Sequence, residues 1–108
     1  MDLTDAFCAP QLLAAAGRLD ETAGELRGWS ARLGAAAADR RWDGDGARAF
    51  RSRAHEVVSR LHGAAATLET AAAALRRHAA TVADRQAARA AHQREVAREL
   101  LESVGVRP

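Results

Sequence analysis

Arg41-Trp42-Asp43-Gly44-Asp45-Gly46 is the stretch that decides the fold. Two glycines alternating with two aspartates supply positive-φ backbone and short side-chain acceptors, which is turn chemistry. On either side the chain is dominated by alanine, leucine, arginine and glutamate, the strongest helix formers. The stretch therefore reads as a bend at residues 42–46 between two helices, with Trp42, Asp43 and Gly44 as its motif. Gly44 is expected in the left-handed helical region, where any β-carbon would be strained. Asp45, or Asp43, is placed to cap the first free N–H groups of the second helix.

Both arms carry a seven-residue repeat. Before the bend, Leu12, Leu19, Leu26 and Leu33 recur every seventh position, each followed four residues later by a small partner: Ala16, Ala23, Ser30, Ala37. Alternating steps of four and three draw one seam along a helix face. A lead-in of residues 1–9 holds Leu3, Phe7 and Cys8, and Pro10 then suits a first helical turn, where its missing N–H costs nothing. Gly17, Gly24, Gly28 and Gly34 each weaken this arm by up to ~1 kcal/mol, which packing must offset. After the bend the apolar rows are Phe50, Val57, Ala64, Ala71, His78 and Ala47, Ala54, Leu61, Leu68, Leu75, Val82. Val58, Ala65, Ala72 and Ala79 widen the stripe. The register fails at Arg85, Arg89 and His92, and a separate apolar set follows at Val96, Leu100, Leu101 and Val104, with Gly105 as terminator and Pro108 beyond.

The spacing predicts helices over about 10–41 and 46–103 and no strand. The fold class is all-α, an antiparallel helix-turn-helix hairpin. With equal rise on both arms, Leu33 falls opposite residue 54 and Leu12 opposite residue 75. Residues 1–84 then form the hairpin, and residues 85–108 an arginine-rich helical tail that overhangs by about 30 Å at 1.5 Å per residue.

Composition narrows the function. A chain of 108 residues holds one domain. All sixteen basic residues are arginine, yet the formal charge is only +2, so nucleic acid is a weak expectation. The arginines between Arg76 and Arg98 are interrupted by Asp84 and Glu95, and Arg98 with Glu102 makes a helix-stabilising pair. The single cysteine, Cys8, excludes an internal disulfide and reads as packing. No charged leader with an apolar core opens the chain, and no stretch approaches the ~20 apolar residues of a membrane span. His55 and His62 lie seven residues apart, about 10 Å along a helix, too far to share a metal unaided. His78 falls on the seam, where a hydrogen-bond partner is expected. With no phosphate loop, paired-carboxylate cleft or nucleophile motif, no enzyme, metal site or cofactor is expected.

Two helices of this composition bury one narrow stripe each, and much of it is alanine. The widened second seam, with Leu13 and Trp29 off the first, leaves a further apolar surface. Pairing of two hairpins into a four-helix bundle is the natural completion. The residues expected to make the helix contacts are Trp29, Leu12, Leu19, Leu26, Leu33, Phe50, Val57, Leu61, Leu68, Leu75 and Val82. Trp42 is expected to close the helix pair as an aromatic plug.

The length, the hairpin and the stretch Trp42-Asp43-Gly44-Asp45-Gly46-Ala47-Arg48-Ala49-Phe50, reading W-x-G-x-x-A-x-x-F, resemble the WXG family. These are the one-hundred-residue ESAT-like proteins of type VII (ESX) secretion. The resemblance runs from about Pro10 to Val82. It implies a homo- or heterodimeric four-helix assembly with itself or another such hairpin, contact with the secretion machinery, and export without a leader from the cytoplasm. It carries no catalytic residues. The arginine and alanine bias is also that of a GC-rich actinobacterial genome. One feature departs from the family. Its export signal is a Tyr followed four residues later by an acid; this chain has no Tyr, and the nearest equivalent spacing is Val82 to Gln86. The alternatives from other classes are a basic helical nucleic-acid-associated protein and a coiled-coil adaptor or toxin-neutralising partner.

Overall fold

The computed structural model describes residues 8–105; Leu3 and Phe7 of the lead-in and Pro108 lie outside them. Helix α1 spans Ala9–Ala37 and helix α2 spans Asp45–Ser103, and the two pack against each other as an antiparallel hairpin. The molecule is a rod of 91 × 25 × 13 Å with a radius of gyration of 25.6 Å. A compact chain of this length would have a radius near ~13 Å. Neither helix is long and apolar enough to cross a membrane.

The first seam lies where the repeat puts it. Leu12, Ala16, Ala23, Ser30 and Ala37 are buried, and Leu19, Leu26 and Leu33 are half-buried beside them. On α2, one expected row holds: Ala47, Ala54 and Val82 are buried, and Leu61, Leu68 and Leu75 are half-buried. The other row is displaced by one residue. Val57, Ala64 and Ala71 face solvent, whereas Ala65, Ala72 and Ala79 are buried and Val58 is half-buried. The seam of α2 thus runs 47, 51, 54, 58, 61, 65, 68, 72, 75, 79, 82, and Phe50 and His78 flank it. Fully buried alanines on both helices let the backbones approach, while the leucines close over the contact from its edges.

The bend is longer than its sequence suggests. Helix α1 stops at Ala37, four residues short of Arg41, and residues 38–44 form the connection. The Arg51 guanidinium sits level with the end of α1, so the first turns of α2 extend past it and the connection runs alongside them. At the far end Leu12 packs with Ala79 and Val82, with Leu75 half-buried against them. The register is therefore about one turn later than equal rise from a five-residue bend predicts. From Ala83 to Gly105 no residue is buried.

Both helix ends are closed locally. At the start of α1, the Cys8 N–H donates to Gln11 Oε1 at 3.2 Å, and Pro10 occupies the first turn. At the end of α2, Gly105 takes φ +79° and its N–H donates to the Glu102 carbonyl at 3.1 Å.

Candidate functional site

The bend is held by a residue that the repeat hides. Arg51 Nε donates to the Ala37 carbonyl at 3.1 Å, and Nη2 donates to the carbonyls of Asp39 at 3.1 Å and Trp42 at 2.6 Å. One guanidinium thus ties three carbonyls that α1 and the connection leave without helical donors. Asp39 receives the Arg41 backbone N–H, Nε and Nη2, each at 3.0 Å. Those bonds, the Arg41 side chain first, hold the Asp39 carboxyl below the usual carboxylate range. An open cleft beside the bend is lined by Gly34, Ala37, Arg40, Asp43, Arg51 and His55, but Arg51 is already committed to the carbonyls.

Gly44 is the N-cap of α2 at φ +106°, ψ −174°. This is extended backbone of the mirror-image hand, reserved to glycine, rather than the left-handed helical region. No side chain caps α2. Asp43 Oδ1 accepts the Gly44 N–H at 2.8 Å, and Asp45 sits in the first turn paired with Arg48, where its charge suits the helix dipole. Trp42 stacks obliquely on Phe50, with ring centroids 5.5 Å apart, but remains 52% exposed. It lies over the outside of the bend and does not plug the helix pair.

The two flanks of the seam differ sharply. The row one past the leucines of α1 faces the row His62, Glu69, Arg76 of α2, and this flank is polar. Arg27 pairs with Glu69 and its Nη1 donates to His62 Nδ1 at 3.2 Å; His62 Nε2 lies 3.0 Å from Ser30 Oγ. Glu69, through its hydrogen bond and then its charge, raises the pKa of Arg27 further. Arg76 pairs with Asp20. These cross-helix pairs were not anticipated from the repeat, although all their members but the seam residue Ser30 occupy the rows next to the seam. Each charge there has a partner within the chain.

The opposite flank is apolar and open. It carries Ala15, Thr22, Trp29 and Ala36 from α1, and Phe50, Val57, Ala64, Ala71 and His78 from α2. Trp29 is 60% and Val57 40% exposed, and Thr22, Ala36, Ala64 and Ala71 also face solvent. The Arg32 guanidinium lies 4.3 Å from the Trp29 ring centroid. His78 is half-buried on this flank, and its Nε2 is buried with no hydrogen-bond partner among the described residues, contrary to the expected bond.

The sequence-selected contact residues thus divide by position. Leu12, Leu19, Leu26, Leu33, Leu61, Leu68, Leu75 and Val82 serve the intramolecular seam, while Trp29, Val57 and part of Phe50 face outward. A second exposed apolar group, Val96, Leu100, Leu101 and Val104, lies on the overhang. There Arg98 pairs back to Glu95 rather than forward to Glu102. Arg85 and Arg89 each make an interaction of their own.

Fold and surface together define a two-helix antiparallel hairpin with one self-satisfied polar flank and one exposed apolar flank. Comparison with known protein families, with curated proteins and with solved structures finds no match.

Proposed function

We propose that the chain is a non-enzymatic pairing protein of the WXG kind. It docks its open flank on a second helical hairpin, completing a four-helix bundle, and travels in a type VII secretion system as a substrate or as the partner of one. The observation that carries this reading is the exposure of Trp29, Val57, Ala64 and Ala71 along one continuous flank. A surface of this kind on a rod with so little interior is what an association face looks like. The Trp42-Asp43-Gly44 bend supports the family assignment, since its tryptophan is displayed at the tip of the rod rather than consumed by the core. With no Tyr in this chain, either the partner carries the export signal or this chain is not itself exported.

Co-expression with any short helical-hairpin protein found encoded beside it tests the reading, by co-purification and mass in solution. A stoichiometric complex of two hairpins is expected, together with its appearance in the culture medium when the secretion ATPase is intact. A folded chain that stays monomeric alone and with every neighbour would overturn it.

A further inference from the structure

The open flank has a rim, and the rim is basic. Flanking Trp29 and Thr22 on α1 are Arg18, Glu25 and Arg32; flanking Val57 and Ala64 on α2 are Arg53 and Arg60. Four arginines and one glutamate therefore border an apolar floor, with Glu21, Glu56 and Arg77 one row further out. The contrast with the polar flank is direct. There Arg27 and Arg76 are spent on Glu69 and Asp20. On the open flank, Arg18, Arg53 and Arg60 make no ion pair among the described residues, and Arg32 rests on the Trp29 ring.

Resting on the pairing function proposed above, we infer that the occupant of this flank is a helical partner whose apolar stripe is bordered by acidic residues, and not a second copy of this chain. Two copies docked face to face would set four arginines and one glutamate against the same set, and like charges at a rim disfavour association. Acidic borders would instead pair with guanidinium groups that the fold leaves unspent, in geometry that suits carboxylates. The floor decides between a protein and a nucleic acid. Val57, Ala36, Ala64 and Ala71 offer nothing to a phosphate, and Trp29 is the one aromatic ring midway along the flank for a base to stack on. From Ala15 to Ala36 the floor runs about 32 Å at 1.5 Å per residue, so the partner presents a stripe of about six turns.

The test uses the full chain carrying Trp42→Phe, so that Trp29 alone reports. Two synthetic helices of about six turns share one Leu/Ala stripe, bordered by Glu in the first and by Lys in the second. Trp29 emission is expected to shift to the blue on binding the Glu-bordered helix, with affinity about tenfold or more above the Lys-bordered one and falling with salt. Arg53→Glu with Arg60→Glu, both at exposed positions, is expected to reverse the preference. If that variant fails to fold, the salt dependence and the ratio between the two helices still decide. Equal affinity for the two helices overturns the inference. So does a single-stranded oligonucleotide that shifts Trp29 emission and displaces the Glu-bordered helix. A tight, salt-insensitive dimer of the chain alone with Trp29 buried also overturns it, while leaving the pairing function standing. A Trp29 signal unmoved by either helix and by high chain concentration sinks both.

Discussion

The Arg51 Nε–H reaches back fourteen residues to the Ala37 carbonyl oxygen, at 3.1 Å, and marks where α1 ends. The same guanidinium holds the carbonyls of Asp39 and Trp42. The turn chemistry of the sequence says that a bend occurs; Arg51 says where the first helix stops.

Replacing Arg51 with Ala should therefore loosen the bend before anything else. Removing the donor from three carbonyls is expected to cost about 1–3 kcal/mol, read as a lower melting temperature by circular dichroism. Arg51→Lys should recover only part of the loss, because an ammonium group cannot span all three acceptors as a planar fork does. Full recovery with Lys would mean that charge alone matters at this position.

Gly44 and Gly46 separate conformational need from turn propensity. At Gly44, φ +106° with extended ψ is closed to residues with a β-carbon, so Gly44→Ala is expected to destabilise by about 1–3 kcal/mol. Gly46 lies in the first turn of α2 at ordinary φ, and an added β-carbon would meet only the Trp42 ring at 3.9 Å. Gly46→Ala should therefore be neutral or stabilising by up to ~1 kcal/mol. Thermal melts of the two variants check this, and equal destabilisation would contradict the assigned backbone.

The displaced row of α2 makes a sharp prediction at neighbouring positions. Ala65 is fully buried between the helices, so Ala65→Leu should force them apart at a cost of about 1–3 kcal/mol. Ala64 is exposed, and Ala64→Leu should change the stability of the isolated chain by less than ~0.5 kcal/mol. If denaturant unfolding ranks the two the other way, the seam runs through Phe50 and Val57 after all.

Much of this was legible in the residues. The leucine row of α1 and its small partners fall where a heptad puts them, because on that arm only one row is leucine at every seventh position. On α2, Ala64 and Ala65, or Ala71 and Ala72, are chemically identical neighbours, so the pattern alone leaves two adjacent rows open. The choice is made by packing, and it turns the discarded row into the exposed flank. The end of α1 was illegible for a related reason: Ala35 through Ala38 would continue a helix, and the carbonyl left open at Ala37 is taken up by Arg51 from the other arm. A signal for Arg51 existed, since it is the one charged residue on the seam row that runs 51, 58, 65, 72, 79. Gly44 could be recognised as conformational, but its region of backbone space depends on how the connection enters α2.

The Asp39 carboxyl is held below the usual carboxylate range by Arg41, so the folded state favours its ionised form. Its contribution is complete above the unfolded carboxylate pKa and is lost as pH falls through the lower folded value. An NMR titration of the Asp39 carboxyl should place its midpoint below the usual aspartate range. Arg41→Ala should raise it toward that range, and a midpoint unmoved by Arg41→Ala would remove the Arg41 side chain as the main cause.

The central claim is that the molecule works through its apolar flank. Sedimentation equilibrium of the chain with the proposed hairpin partner, or with the Glu-bordered helix, tests this most directly. Two variants serve, each compared with the parent once its melting temperature is matched: Trp29→Asp with Val57→Asp on the open flank, and Arg27→Gln with Glu69→Gln on the polar flank. The account predicts that the first weakens the complex about thirtyfold or more, as loss of a buried aromatic anchor does, and that the second leaves it intact. A complex that survives the charged apolar flank, or is lost equally with the polar one, would contradict it.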